Sequence, residues 1–367
     1  MTLFFTAVGI LCGICGVLAA ALVIADRYFN DYGICNIDIN EGSKVLEVDG
    51  GESLLGTLGG QKIFIPSACG GRGSCGLCKL KVKTGGGQVL PTEEPHLSKE
   101  EIADNVRLSC QMKVRGDMEI EIPEELFNIR EYEAVAEKIT DLTHDIKLLR
   151  IKLSEPEEIS FTPGQYIQLE CPPYKMNPEA VYRAYSIASD PVDKDHLDLI
   201  IRLVPEGICT TWVFDFLEEG ESLTLNGPYG DFYIRPGNSE MIFIAGGSGM
   251  APFRSILADL ERQECKRPIR YFFGALTAKD LFMLDEMKGY EERLYDFKFI
   301  PALSEPVPDD EWNGETGLIT EVVAAHYPDC SDKQGYLCGS PGMIDACIKV
   351  LDAGGMDSEN IFYDKFA

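Results

Sequence analysis

The first segment of the chain is a long apolar run that carries no charge. No Asp, Glu, Lys or Arg occurs between Thr2 and Ala25. As a helix, residues 3–25 would extend about 34 Å, enough to cross a bilayer. The run predicts a transmembrane helix that anchors the protein once in the inner (plasma) membrane, with the catalytic domains in the cytoplasm. A cleaved signal peptide processed near Ala19–Ala21 is the alternative, but no Lys or Arg precedes the run.

Residues 33–123 begin with alternating apolar and polar positions and then carry a cysteine cluster. The alternation predicts strands at 34–39 and 44–48. The cysteines follow the spacing C-x5-C-x2-C, and a fourth comes after 31 intervening residues. Four thiolates, three from one loop and one from a distant strand, suit a [2Fe–2S] cluster. Structural zinc is the alternative, but it usually requires two separated C-x2-C pairs, and this segment has one. The predicted metal ligands are Cys69, Cys75, Cys78 and Cys110.

Residues 131–236 contain several short alternating runs separated by turn residues. This spacing predicts a small antiparallel β-barrel. Arg183 and Tyr185 stand two apart on one predicted strand and therefore share a face, where the first can pair with a phosphate and the second can stack on a flat ring. Downstream, Gly207 precedes a helical stretch whose first amides would form an anion site for a pyrophosphate.

Residues 237–367 alternate between apolar strands and amphipathic helices, which predicts a parallel α/β nucleotide-binding domain. The apolar run 241–245 leads directly into Gly246-Gly-Ser-Gly249 and then a helix from Phe253 to Arg262, a unit that cradles phosphates. Cys338 follows another predicted strand, where a nicotinamide would lie. A buried core thiol is the alternative for Cys338. The terminal aromatic Phe366 could cover a flavin face or belong to the core.

Charge and cysteine content limit the classes of partner. The 367 residues include 60 acidic and 33 basic side chains, a formal net charge of −27. Phosphates would be repelled, so a nucleic-acid partner is excluded. Thirteen cysteines, scattered except for the one cluster, indicate a reducing compartment rather than a disulfide scaffold.

These segments together resemble the ferredoxin–NADP reductase superfamily fused to a plant-type ferredoxin domain of the β-grasp fold. The closer resemblance is to the F subunits of sodium-translocating NADH:quinone oxidoreductases, and it covers nearly the whole chain in the same domain order. The motifs that carry it are Ser67–Cys75, Gly85–Gly87, Leu90–Glu93, Leu108–Gln111, Arg183–Ser186, Gly246–Pro252 and Asp364–Phe366.

The resemblance implies a role for each site residue. Ser186 would lie near the flavin N5, Cys338 would orient the nicotinamide, and Phe366 would shield the isoalloxazine. These three are the expected catalytic residues. The expected FAD contacts are Arg183, Tyr185, Ser186, Gly207, Thr210 and Phe366, and the expected NADH contacts are Gly246, Gly247, Gly249, Pro252 and Gly339.

The combination of cofactors dictates an order of electron transfer. NADH gives up two electrons as a hydride, a [2Fe–2S] cluster accepts one at a time, and FAD can do both. We therefore expect the order NADH, FAD, cluster and membrane acceptor, within a quinone-reducing, sodium-translocating complex that has integral membrane partner subunits. The alternatives are a stand-alone reductase that serves an oxygenase, and an electron carrier that does not oxidise NADH. Leu276 and Asp280 follow the second strand, where a 2′-phosphate would favour Arg or Lys, so NADH is preferred over NADPH.

Overall fold

The computed structural model describes residues 2–29, 32–123, 126–127, 129–308 and 312–366. The chain divides into two compact units, and each is described by itself. The first comprises residues 1–65 and 71–128, and the second comprises residues 66–70 and 129–367.

The N-terminal run forms one helix of 28 residues, α1 (Thr2–Phe29). The side chains at 4–5 and 9–21 are exposed, whereas those at 2–3, 6–8 and 22–29 lie outside the described residues. Within the described part of the chain, no helix combines the length and the apolar character that crossing a membrane requires. The helix is therefore confirmed, and its passage through a membrane stays a prediction.

The remainder of the first unit is a five-stranded mixed sheet with short helices. In β1 the side chains of Cys35, Ile37 and Ile39 are buried and alternate with more exposed ones, as the sequence pattern predicts. The β1–β5 pair is parallel and the other pairs are antiparallel, in the order β2-β1-β5-β3-β4, which is the expected β-grasp arrangement. The elements are β1 (Ile34–Ile39), β2 (Lys44–Asp49), α2 (Leu54–Gly60), β3 (Lys79–Thr84), α3 (Lys99–Ala103), β4 (Val106–Leu108) and β5 (Met118–Glu121).

The second unit begins with a six-stranded antiparallel sheet in the order β10-β7-β6-β11-β8-β9. A bridge between Ile187 and Leu199 joins the two outer strands, so the sheet closes into the predicted barrel. The apolar pattern after Gly207 predicts a helical stretch that continues to Leu217, whereas the observed helix ends at Asp215, two residues earlier. The elements are β6 (Arg130–Asp141), β7 (Ile146–Glu155), β8 (Tyr166–Cys171), β9 (Val181–Ser186), β10 (His196–Arg202), α4 (Ile208–Asp215) and β11 (Ser222–Tyr229).

The rest of the second unit is a six-stranded parallel sheet in the order β15-β14-β13-β12-β16-β17. Both of its faces are buried, since Phe243 packs in one hydrophobic cluster and its neighbours Ile242 and Ile244 pack in another. The elements are β12 (Met241–Gly246), α5 (Met250–Arg262), β13 (Ile269–Ala275), α6 (Leu284–Arg293), β14 (Phe297–Leu303), β15 (Glu315–Thr316), α7 (Ile319–His326), β16 (Gln334–Gly339), α8 (Pro341–Ala353) and β17 (Ile361–Lys365).

Three details of this part differ from the sequence prediction. Helix α5 begins at Met250 rather than Phe253, directly after the glycine turn. The sequence pattern predicts a helix from Phe282 to Tyr290, but α6 begins at Leu284, because Met283 just before it adopts a left-handed backbone with φ of 54°. Cys338 lies inside β16 rather than beyond it, and the terminal segment pairs with β16 as a further strand.

Candidate active site and iron–sulfur site

The cysteine loop has a backbone that only glycine accepts at critical points. Gly73 and Gly76 adopt positive φ values of 77° and 69°. A Cβ at Gly73 would lie 2.5 Å from Nε2 of Gln111, and one at Gly76 would lie 3.0 Å from the His96 side chain. The glycines therefore let the loop lie directly against the segment that carries Cys110.

Two of the four predicted iron ligands are brought together by the β3–β4 pair. Lys79 pairs with Leu108, and the amide of Ser109 donates to the carbonyl of Cys78 at 2.9 Å. The Cys110 thiol and burial raise the pKa of the Cys78 thiol. Two thiols this close to each other suit a shared cation, which takes the place of their protons.

The surroundings of the thiols also fit a cluster. Cys69 and Cys78 are buried, while Cys75 and Cys110 are partly exposed. The side-chain amide of Gln111 donates to the sulfur of Cys110 at 3.4 Å. Such donors tune the reduction potential of iron–sulfur clusters.

The predicted flavin strand is β9, which pairs with β8 along its whole length. Ile167 lies opposite Tyr185, and Leu169 lies opposite Arg183, so both site residues project from one side of the sheet. Burial raises the pKa of Tyr185, which keeps its hydroxyl protonated. Arg183 donates from Nη1 to the carbonyl of Tyr182 at 2.7 Å.

The predicted phosphate-binding turn of the barrel lies at the start of α4. Gly207 is the residue that precedes the helix, and a Cβ there would lie 2.5 Å from Oγ1 of Thr210. The Thr210 hydroxyl accepts from the amide of Val204 at 3.2 Å, so it closes the turn. The first amides of the helix remain the groups suited to an anion.

The predicted nicotinamide turn follows β12 directly. Gly247 adopts a φ of 55°, and a Cβ at Gly249 would lie 2.3 Å from the carbonyl oxygen of Cys338. This close approach places Gly246–Gly249 against the end of β16, and Pro252 is buried in the first turn of α5. Two neighbouring parallel strands therefore end at the edge where the phosphate-binding turn is predicted.

The three predicted catalytic residues lie at this edge near Asp364, which the sequence analysis named in a motif of the resemblance but not as a site residue. The Ser186 hydroxyl donates to Oδ2 of Asp364 at 3.3 Å. Asp364 lies opposite Cys338 in the β16–β17 pair. The amide of Phe366 donates to the carbonyl of Gly339 at 2.9 Å. The motif Asp364–Phe366 was the sequence signal for this residue, but it gave Asp364 no role.

Burial dominates the electrostatics of this group. It raises the pKa of the Cys338 thiol, and the nearby Asp364 carboxylate raises it further, so Cys338 is a neutral thiol. Burial also raises the pKa of Asp364 to about 6. The Asp364 carboxyl, which is hydrogen-bonded to Ser186, is therefore protonated at a higher pH than an exposed aspartate.

Arg202 is a second residue that sequence reasoning missed. It ends the apolar strand β10, and its Nε donates to Oδ2 of Asp145 at 2.7 Å. Its Nη1 lies 3.2 Å from the position of a Cβ at Gly247. A half-exposed guanidinium beside the glycine turn is suited to pair with a phosphate.

The raised pKa of Asp364 predicts a pH-dependent gain in stability for Asp364→Asn. The carboxyl has an ordinary pKa of 3.8 and a folded-state pKa of about 6. Below pH 3.8 the carboxyl is protonated in both the folded and the unfolded chain. As the pH rises from 3.8 to about 6, the unfolded chain ionises first, and the folded state loses stability. Replacing the carboxyl should therefore raise the unfolding free energy by about 1 kcal/mol more at pH 8 than at pH 5.

Thermal and denaturant unfolding at the two pH values measure this difference. Asp352→Asn is the control, because Asp352 is exposed near the end of α8. Equal effects of Asp364→Asn at pH 5 and pH 8 would contradict the assignment of a raised pKa.

Three protein-family models match successive parts of the chain. They are the 2Fe-2S iron–sulfur cluster binding domain over residues 37–115, the oxidoreductase FAD-binding domain over 133–234 and the oxidoreductase NAD-binding domain over 243–349. These matches lie on the cysteine loop, the barrel and the parallel sheet.

Similar proteins share this organisation. The F subunit of the Na(+)-translocating NADH-quinone reductase of Mannheimia succiniciproducens is 36% identical over 99% of this chain and 98% of its own length. The protein of the same name from Neisseria meningitidis is 37% identical over 95% of this chain and 96% of its own. Among solved structures, the Amycolatopsis cytochrome P450 reductase GcoB has a TM-score of 0.72 and 28% identity, covering 90% of this chain and 98% of that one. A ferredoxin reductase of carbazole 1,9a-dioxygenase has a TM-score of 0.70 and 27% identity, covering 91% and 99%.

The comparisons confirm the predicted cofactors, which are FAD, a [2Fe–2S] cluster and NADH. They also confirm the prediction of a flavin- and iron–sulfur-dependent NADH oxidoreductase. Because more than a third of the positions are identical over nearly the full length of both chains, the protein belongs to the family of F subunits of Na(+)-translocating NADH-quinone reductases.

Proposed function

We propose that this chain is the NADH-oxidising subunit of a membrane-bound, quinone-reducing and sodium-translocating complex, and that it delivers electrons to an acceptor in the membrane. The observation that carries the proposal is the meeting of Ser186, Asp364, Cys338 and Phe366 at the edge of the parallel sheet, next to the flavin strand. When bound, FAD supplies the exchange between the two-electron chemistry of NADH and the one-electron chemistry of a cluster.

The chain's own residues hold the reactants at that edge. Arg183 supplies a positive charge for the FAD phosphates, Tyr185 supplies a neutral phenol ring for stacking, and the first amides after Gly207 supply donors. Gly246–Gly249 and Arg202 form the corresponding site for NADH. Ser186 donates a hydrogen bond to Asp364, and this bond fixes the direction of the Ser186 hydroxyl.

The iron site has two thiols from the β3–β4 region and two from the loop before it. Since four cysteines ligate a [2Fe–2S] cluster, two on each iron, we assign Cys78 and Cys110 to one iron and Cys69 and Cys75 to the other. The contact of Cys78 with Cys110 supports this division. The proposed domain limits are 33–123 for the cluster, 131–236 for FAD and 237–367 for NADH.

Helix α1 supplies the proposed attachment to the membrane. Its exposed side chains include the large apolar residues Phe4, Phe5, Ile10, Leu11, Ile14, Val17 and Leu18. A contiguous apolar helix surface of this kind costs free energy in water and gains it in lipid. Residues 3–25 would then cross the inner (plasma) membrane once, with the catalytic domains on the cytoplasmic side and integral membrane subunits as partners.

The full-length chain with Leu11→Lys and Leu18→Lys tests this function. Each charge costs about 2.5–3.5 kcal/mol at the centre of a bilayer, so this variant should leave the membrane fraction and lose NADH:quinone activity in membranes. Its NADH:ferricyanide activity should remain, because that acceptor is soluble. Val45→Lys, at an exposed apolar position on β2, is the control.

A stand-alone reductase that serves an oxygenase is the second candidate, and it is favoured by the likeness to the P450 reductase and the dioxygenase reductase. In that case the double variant would keep its activity towards its physiological acceptor. Copurification of the wild-type chain with integral membrane subunits would decide for the complex. Absence of NADH:ferricyanide activity from cofactor-loaded wild-type protein would contradict both.

A further inference from the structure

We propose that Arg254 is a positioning residue that holds the flavin strand and the nicotinamide turn in the relative placement that hydride transfer requires. The inference rests on the proposed function and adds a residue to it. Arg254 lies in the first half of α5, five residues after Gly249, and is largely buried.

The guanidinium of Arg254 joins two parts of the second unit. Its Nη1 donates to the carbonyl of Ala188 at 3.1 Å and to Oδ2 of Asp198 at 2.7 Å, both in the barrel. Its Nε donates to Oε1 of Glu286 on α6 at 2.9 Å. One side chain therefore bonds the barrel and the nucleotide-binding part at the same time.

The barrel groups that Arg254 binds are those next to the flavin site. Ala188 stands two residues after Ser186, and its amide donates to the carbonyl of Asp198 at 2.8 Å. Arg254 thus binds both residues of this backbone hydrogen bond, Ala188 through its carbonyl and Asp198 through its carboxylate. A displacement of the guanidinium would act directly on the strand that carries Ser186.

Arg254 is also close to the nicotinamide turn. Helix α5 begins at Met250, immediately after the glycine turn, and Arg254 is one helical turn further on. Because a helix moves as a rigid element over so short a distance, the turn and the guanidinium move together. The rate of a transfer reaction is sensitive to displacements of about 1 Å between its reactants. By linking the glycine turn to the flavin strand, Arg254 therefore sets the distance on which the rate of hydride transfer depends.

The charges around Asp198 indicate that the fold tolerates loss of Arg254. Asp198 is buried and also accepts from Nη1 of Arg150 at 2.9 Å. A buried carboxylate left without any cation is strongly destabilising, but Arg150 would still neutralise Asp198 in an Arg254→Gln variant. Arg150 and Arg254 both pair with Asp198, although one guanidinium is enough to balance its charge.

The test compares Arg254→Gln and Arg254→Lys with the wild-type chain, both as FAD-loaded holoprotein and after removal of FAD. Hydrogen exchange of the 183–189 segment should become faster in Arg254→Gln in both forms, because the strand loses its tie to α5. In the holoprotein, the limiting rate of flavin reduction by NADH should fall about tenfold or more, while the KM for NADH changes less than about threefold. Arg254→Lys should recover part of both effects, since an ammonium reaches one of the two barrel acceptors.

Arg293→Gln is the matched control, because it removes an arginine–carboxylate pair, with Glu261 at 2.6 Å, that lies wholly within the nucleotide-binding part. It should change neither readout. Wild-type exchange and wild-type reduction in Arg254→Gln would overturn the proposal, as would faster exchange throughout the chain, which denotes a general structural role. If Arg254→Gln fails to fold, an Arg254→Lys variant that behaves as wild type overturns the proposal. Failure of the wild-type holoprotein to oxidise NADH would instead contradict the proposed function. Hydrogen exchange of the FAD-free protein would still test the role of Arg254.

Discussion

Replacing Cys110 by alanine is expected to abolish assembly of the [2Fe–2S] cluster and all electron delivery beyond the flavin. Cys110 is the predicted ligand that comes from a separate segment of the chain, and it is placed beside Cys78 by the β3–β4 pair. Three remaining thiolates cannot complete a four-cysteine site. Iron and sulfide content should fall to background, and the signal of the reduced cluster in electron paramagnetic resonance should disappear.

Flavin reduction by NADH should persist in the Cys110→Ala protein, because the residues around Ser186 and Asp364 belong to the second unit. Stopped-flow measurement of flavin bleaching separates this step from cluster reduction. Cys265→Ala is the matched control, since Cys265 is also a partly exposed thiol but lies after α5 in the nucleotide-binding part. A Cys110→Ala protein with a full complement of iron would refute the ligand assignment.

Replacing Ser186 by alanine is expected to slow flavin reduction by NADH about a hundredfold. Its hydroxyl is buried and is oriented by Asp364 at 3.3 Å, and removal of one preorganised donor from an active site costs roughly 10²–10³ in rate. The FAD content should not change, because Arg183, Tyr185 and the start of α4 remain.

Ser189→Ala provides an unusually close control for Ser186→Ala. Ser189 is equally buried and lies three residues further on, and among the described residues its hydroxyl oxygen has no hydrogen-bond partner. Both variants remove one buried hydroxyl, but only one of them removes a bond to Asp364. If Ser186→Ala reduces its flavin at the wild-type rate, Ser186 has no part in hydride transfer.

The features that the sequence predicted well are those that depend on residues close together in the sequence. The cysteine loop, the glycine turn after β12 and the alternation in β1 are local patterns, and a local pattern determines its own backbone conformation. The left-handed backbone of Met283, which precedes the start of α6, is confined to one residue and leaves no periodic signal in the sequence.

The residues that were missed act through contacts between distant segments. Ser186 and Asp364 are 178 positions apart, and Arg254 and Asp198 are 56 apart. No spacing rule connects them, because their distance depends on barrel closure at Ile187–Leu199 and on the pairing of β17 with β16. Arg254 and Arg202 look like ordinary surface arginines until those pairings are known.

The amino-acid sequence by itself determined the cofactor classes and the order of the three matched domains, and it predicts the four iron ligands, because each depends on which residue types stand close together along the chain. Tertiary structure decided which side chains surround the reacting edge and which one connects the barrel to the nucleotide turn. The physical reason is that strand order and register are set by the burial of whole faces of a sheet, and this brings together residues that no local interaction relates.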